Sequence, residues 1–308
     1  MRICFSKAKL FVHLVPLLLV AVSSGETLSF EYDRTQPLAL REEGISERDG
    51  IQFREITYAN TDGTRNAATI VSPTAVTEPR PGILFVHWYG PPAPTSNRTE
   101  FSPDAVELAK GGALSLLIDT QWSRPEYFDE RTRAGDYDRS VRQVKDLRRA
   151  LDVLVAQPKI DLKRVAYVGH DFGAMYGVLA AACDPRVRSI VFMAGTPSFS
   201  DWFLYGEPKL QGEARQKFVD ELKPLDPIAY LPKLEIPILF QFATSDIHVP
   251  KTRADALVKA AAEPKEVRFY LAEHELNEQA AQERIAWLKR TLKLETPNGP
   301  TADSRRSD

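Results

Sequence analysis

Asp171 stands at the centre of Gly169-His170-Asp171-Phe172-Gly173, between the apolar run Val165-Ala166-Tyr167-Val168 and a stretch rich in Gly and Ala. A tight strand-to-helix turn forces its central residue into a strained backbone, so the residues two away must lack bulk. The central carboxylate then projects above a sheet at the positive end of a helix. Two further groups stand in comparable places. Asp246 follows the apolar run 237–242 and His274 follows 267–271, each just past the carboxyl end of an expected strand. That end is where open α/β sheets bind their ligands. A carboxylate so placed can attack carbon, and an imidazole held by a second carboxylate can activate water. Taken singly, Asp171 is explained as a helix cap, Asp246 as a turn residue and His274 as a solvated loop side chain. Together, each at a strand end, they point to catalysis.

The elements that must position them are short apolar runs alternating with helical patterns. Residues 51–58 and 67–71 read as an opening hairpin, 82–87 as a buried strand, 103–110 as a helix and 113–118 as the next strand. Val144, Leu147, Leu151 and Leu154, spaced by three and four, mark one apolar helix face. Then come strand 164–168, helix Phe172–Ala182, strand Ser189–Met193, strand 237–242, helix 251–262, strand 267–271 and helix Glu278–Leu292. Continuous apolar strands separated by helices mean a parallel sheet covered on both faces, with the hairpin antiparallel at one edge. One α/β domain over 51–295 is expected, after a polar lead-in at 25–50 and before a disordered tail at 296–308.

The glycine-flanked Asp171 resembles the nucleophile elbow of the α/β-hydrolase superfamily, and the resemblance runs from Ile51 to Leu292. The spacing is similar to that of dienelactone-hydrolase-like members. Most of those relatives carry Ser or Cys at the place of Asp171, and an Asp there looks instead like the epoxide hydrolase and haloalkane dehalogenase branches. The resemblance implies an α/β-hydrolase fold, a mostly parallel sheet with helices on both faces and no large lid. It implies the order nucleophile, acid, histidine, carried here by Asp171, Asp246 and His274. It also implies an oxyanion hole built from the backbone N–H groups of Trp88 and Phe172. His248 competes as the base but shares the acid's loop. His170 is expected to pack beneath the elbow, and His87 to shape the loop that follows it.

A carboxylate attacking an ester carbonyl gives a high-energy anhydride, whereas attack on a saturated carbon gives an ordinary ester. Epoxides and carbon–halogen bonds suit the second course. Epoxide opening needs an acid such as a tyrosine hydroxyl, while halide departure needs N–H donors. Tyr89, Tyr127 and Tyr205 are candidates for the first, Trp88, Trp122 and Trp202 for the second. Tyr89, Trp122, Tyr127, Trp202 and Tyr205 are accordingly expected to line the substrate pocket. The halide-binding Trp that the dehalogenase branch carries directly after its nucleophile is Phe172 here, and the stretch between Gly195 and Ile236 can form only a minor flap. Two other readings stand beside an Asp-nucleophile hydrolase. One is an esterase-like or dienelactone-like hydrolase with Asp171 in another role. The other is a non-catalytic ligand-binding relative, against which the ordered Asp246 and His274 argue.

A net charge of −2 supplies no cationic excess for nucleic acid. No Gly-x-Gly-x-x-Gly follows the first strand and no metal-spaced cluster appears, so no cofactor or metal is expected beside a small-molecule substrate. The oligomeric state is not legible. Arg2, Lys7 and Lys9 precede an apolar run from Leu10 to Val22 and the small residues Ser23, Ser24 and Gly25. That order reads as a signal peptide over residues 1–24, implying a secreted or periplasmic protein with no stable membrane insertion after processing. Cleavage between Val22 and Gly25 is the expected outcome. Mass spectrometry of the exported protein checks it, and a mature chain still beginning at Met1 would reject it.

Overall fold

A computed structural model describes residues 28–294 other than 76, 77, 92, 206 and 208. The expected signal peptide and disordered tail lie outside the described residues. Nine strands form one sheet in the order β1-β2-β3-β5-β4-β6-β7-β8-β9. β1 (Arg41–Arg48), β2 (Ile51–Ala59) and β3 (Arg65–Pro73) are an antiparallel ribbon, and β3 joins β5 (Leu114–Ile118) antiparallel. From β5 onward β4 (Arg80–Val86), β6 (Ile160–His170), β7 (Ser189–Met193), β8 (Ile238–Ala243) and β9 (Lys265–Tyr270) run parallel. This is the α/β-hydrolase arrangement expected.

The strand residues alternate between two cores, as a pleated strand buried on both faces must. Leu84, Val86 and Tyr167 face one side, against Val144, Leu147, Leu151 and Leu154 of α3 (Arg133–Val155) and Leu179 of α4 (Phe172–Ala182). Ile83, Phe85, Ala166 and Val168 face the other, against Leu108 of α1 (Ser102–Ala109) and Trp287 and Leu288 of α8 (Glu278–Leu292). α8 begins where Asn277 accepts the Ala280 N–H at 3.0 Å and ends at Lys293 in the left-handed conformation. α2 (Tyr127–Glu130) lies before α3, and α7 (Lys251–Ala260) between β8 and β9. Between β7 and β8 lie α5 (Phe199–Phe203), α6 (Gly212–Leu222) and three short 3-10 turns, a small flap rather than a lid.

β4 and β6 are neighbours, yet the chain leaves them in opposite directions, β4 toward β5 and β6 toward β7. Such a reversal opens a crevice at the carboxyl ends of the two strands. The loop beginning at His87 and the elbow at Asp171 both open into it.

The N-terminal stretch, expected only as a polar lead-in, is partly strand. It contains β1, every residue of which is exposed, so no apolar alternation marks it in the sequence. Its hydrogen-bond ladder with β2 makes it a strand. Ahead of β1 the chain is strapped onto α3 by two buried arginines. Arg149 donates to the carbonyls of Gln36 (2.8 Å), Pro37 (2.7 Å) and Ala59 (3.2 Å). Arg148 donates to the Phe30 carbonyl and, at 3.0 Å, to Glu31. Arg149→Ala removes three donors from these carbonyls and should cost about 3 kcal/mol in urea unfolding, with faster tryptic cleavage ahead of β2. Unchanged unfolding would show that the strap contributes nothing to stability.

Candidate active site

The elbow is built as its glycines suggested. Asp171 has φ +53° and ψ −117°, and its N–H donates to the Met193 carbonyl at 2.8 Å. A Cβ on Gly169 would lie 2.4 Å from the carbonyl carbon and oxygen of Gly173. One on Gly173 would lie 2.2 Å from the Val86 carbonyl oxygen and 2.9 Å from that of His87. Neither position admits a side chain. The turn therefore drives the start of α4 against the end of β4 and leaves Asp171 at the tip, wholly buried.

Asp246 and His274 meet at the ends of β8 and β9. Nδ1 of His274 donates to Oδ2 of Asp246 at 2.7 Å, and Oδ1 of Asp246 accepts the backbone N–H groups of His248 (2.8 Å) and Val249 (3.0 Å). Burial alone would push the Asp246 carboxyl up, but the bond from His274, its charge and the two amides outweigh it and hold the group below its ordinary value. The tie at Nδ1 leaves Nε2 of His274 inside the site, buried and without a hydrogen-bond partner among the described residues.

The carboxylate of Asp171 is divided. Oδ2 accepts the Tyr89 N–H at 3.2 Å, while Oδ1 has no hydrogen-bond partner among the described residues. Burial pushes this carboxyl up to about 7, opposed by the charge of His274 and the Tyr89 amide and helped by Asp246. The Phe172 amide also favours the ionised form, without the alignment of a full hydrogen bond.

Tyr89, not Trp88, is thus the amide that reaches Asp171. The Trp88 N–H donates to Oε2 of Glu100 at 2.8 Å and is spent there. His87 holds the loop as expected: Nδ1 meets the Trp88 carbonyl at 2.6 Å and Nε2 the Ser123 hydroxyl at 2.8 Å. A Cβ on Gly90 would lie 2.6 Å from the Trp88 indole, so the loop turns back over that ring only because residue 90 is glycine.

A cavity of about 620 Å³ opens beside these groups, walled by Trp88, Tyr89, Phe128, Trp202, Tyr205 and His248, with His274 and Glu275 at one side. Of the five expected pocket residues, Tyr89, Trp202 and Tyr205 are there. Trp122 and Tyr127 are not. Trp122 is fully buried, stacked on Tyr176 at 5.4 Å, with its indole N–H on the His87 carbonyl at 3.2 Å. Tyr127 packs edge-on against Phe172 and Tyr89 in the layer behind the wall. Phe128 and His248 complete the wall instead. Phe128 carried no signal in the sequence beyond its neighbours. His248 had been weighed only as a rival base, and its side chain does not contact Asp246. Burial, then the nearby His274, lowers its affinity for a proton. Its Nδ1 and the indole N–H of Trp202 are both buried and without hydrogen-bond partners among the described residues. Among those residues no Lys or Arg lines the cavity. The nearby Arg253 is taken by Asp201 at 2.8 Å and the His248 carbonyl at 2.7 Å.

The model of the dienelactone hydrolase family matches residues 68–287, from β3 to the last helix, and so covers every group described above. The chain belongs to the dienelactone hydrolase family. Membership makes it a hydrolase. It is 28% identical over 227 residues to an uncharacterised protein of Mycobacterium tuberculosis, covering 70% of this chain and 77% of that one. An acetyl xylan esterase from Paenibacillus sp. R4 superposes with a TM-score of 0.67 at 18% identity, over 83% of this chain and 90% of that one. A dienelactone hydrolase from Anabaena variabilis superposes with a TM-score of 0.57 at 21% identity, over 80% and 100%. Among the described residues no helix is long and apolar enough to cross a membrane, and no cluster of three or more His, Cys, Asp or Glu is arranged to hold a metal ion.

The buried Asp171 sets a stability signature within this family fold. Its carboxyl stands near 7 against an ordinary 3.8, so the folded protein binds this proton more tightly than the unfolded chain does. Stability from this group is therefore undiminished below about pH 4 and falls as pH rises to 7, by about 3–4 kcal/mol. Asp171→Asn, which cannot ionise, should unfold at higher denaturant than wild type at pH 8 and at no higher denaturant at pH 4. A pH-independent difference would contradict the raised value.

Proposed function

We propose that this hydrolase uses Asp171 as its nucleophile, with His274 as base and Asp246 as the acid that orients it, and that it cleaves a small neutral substrate through an alkyl-enzyme ester. The observation that carries the reading is the division of the Asp171 carboxylate. One oxygen accepts the Tyr89 amide and the other has no hydrogen-bond partner among the described residues, which is what a nucleophilic carboxylate needs in both of its steps. In the first step Oδ1 attacks a saturated carbon and the leaving group departs with the bonding pair. In the second, Nε2 of His274 takes a proton from water, which adds to the Asp171 carbonyl carbon. The charge that develops falls on Oδ2, which the Tyr89 amide already binds. Asp246 stabilises the resulting imidazolium, which returns its proton to Oδ1 as the bond from that carbon to Oδ1 breaks, releasing the alcohol and regenerating the Asp171 carboxyl group with the oxygen of water in it.

Donor availability favours a carbon–halogen bond over an epoxide. The Tyr89 hydroxyl is committed to the Pro125 carbonyl at 3.0 Å and Tyr127 lies behind the wall, so of the three tyrosines only Tyr205, at the rim, keeps a hydroxyl for opening a ring. The Trp202 indole N–H has no hydrogen-bond partner among the described residues and lies at the cavity, where it can receive a departing anion without giving up a proton. An anionic substrate meets no cation there, which supports a neutral one. A second reading, supported by the esterases among the structural neighbours, has Asp171 assist direct attack of water on an ester. Export is part of the proposal and rests on the leader; Cys183 would then be the one cysteine left after Cys4 is removed.

A single turnover in heavy-oxygen water, with enzyme in excess over 1-bromobutane, styrene oxide or 4-nitrophenyl acetate, separates the readings. Asp171 as nucleophile labels the peptide that contains it and leaves the first product unlabelled. Labelled product with an unlabelled peptide would sink the assignment in favour of the second reading. His274→Ala should lose at least about 100-fold in turnover and accumulate an adduct on Asp171, since the base serves only the second step. The alkylation rate should climb as pH rises through about 7, where Asp171 ionises.

A further inference from the structure

We infer that Glu100 and His170 form a buried bridge that sets the position of the base loop, and that His170 is a positioning residue for His274. The inference rests on the reading of His274 as the base. That residue is held at two points. Asp246 fixes its ring through Nδ1 at 2.7 Å, and Nε2 of His170 donates to its backbone carbonyl at 3.0 Å. The loop is not at rest by itself. The Leu276 N–H closes a turn on the Glu273 carbonyl at 3.0 Å and leaves Leu276 at φ +65°, where a branched side chain is strained. A strained turn keeps its shape only while its surroundings hold it. The tie from His170 is one of those holds.

His170 is in turn fixed from the other side. Its Nδ1 meets Oε1 of Glu100 at 2.6 Å, and the Trp88 indole lies flat against its ring at 5.3 Å and 4°. The side chains of His170 and Glu100 are 1% and 13% exposed. Both ring nitrogens of His170 face acceptors. Nδ1 thus faces the Glu100 carboxyl while Nε2 faces the loop carbonyl. The second oxygen of Glu100 takes the Trp88 N–H at 2.8 Å, leaving the Tyr89 N–H to reach Asp171. One carboxylate and one imidazole thus join three separate segments: the loop after β4, the elbow and the loop after β9. They place an amide on one side of Asp171 and the base on the other.

Proton NMR of the full chain tests the bridge without a substrate. Protons in short hydrogen bonds of buried imidazoles resonate downfield of the amide region. Wild type should show two, one lost in Asp246→Asn and the other in Glu100→Ala. In His170→Ala the His274–Asp246 signal should shift or broaden away. His170→Gln, whose amide N–H can still reach the His274 carbonyl, should restore it, and Glu100→Gln, which keeps an acceptor for Trp88, should retain it. On a substrate that wild type turns over, His170→Ala should lower kcat about 100-fold, the scale of a misplacement of an ångström or so, with KM little changed. An unaltered His274–Asp246 signal in folded His170→Ala protein overturns the inference, as does failure of His170→Gln to restore it or absence of the Glu100-dependent signal in wild type. Failure of the base assignment has a separate mark: full activity in His274→Ala, with the signal still responding to His170.

Discussion

The approach of Gly173 to the end of β4, so near that a Cβ would lie 2.2 Å from the Val86 carbonyl oxygen, is the constraint on which the site is built. It pulls the first turn of α4 under the loop that begins at His87. Asp171 is thereby turned into a positive-φ conformation at the tip of the elbow, with the Tyr89 amide on one side of its carboxylate. Loosening this contact would separate the nucleophile candidate from its amide. The parallel strands β4 and β6 supply the rigid frame, and their opposite exits supply the crevice.

That close packing also excludes water from Asp171, and burial is the largest influence on its carboxyl. Among the described residues the site holds a carboxylate with one unsatisfied oxygen, an imidazole with one unsatisfied nitrogen and an indole N–H with no hydrogen-bond partner. Each is expensive to keep buried in a protein that does not use it. The imidazole of His274 and the indole of Trp202 line one aromatic cavity together with Tyr89, whose amide binds Asp171. Elsewhere in the fold Arg284 is buried with a counter-charge, meeting Asp104 at 2.7 Å between α8 and α1.

Much of this was legible in the sequence where local rules govern. The bounds of α4, β7 and α8 coincide with those expected, because an elbow glycine, a short apolar run and an Asn cap mark them locally. Asp171, Asp246 and His274 were readable for the same reason, each standing at a strand end. What escaped notice depends on contacts distant in the chain. β1 carries no apolar alternation, since both its faces meet solvent. The polar first half of α3 is helical without an apolar stripe to announce it. The choice of Tyr89 over Trp88 is made by Glu100, twelve residues on in the chain. Trp122 and Trp202 look alike as residue types, yet one anchors the His87 carbonyl and the other faces the cavity.

In the resting site the Tyr89 amide is already occupied by Oδ2 of Asp171. An empty oxyanion hole is what tetrahedral reagents such as phosphonates and boronates exploit, together with a serine or cysteine to capture them. Here neither the vacancy nor the capturing atom is present at the elbow. Surveys that find hydrolases by covalent tagging of a serine or cysteine nucleophile would therefore pass over this chain, however abundant or active it is.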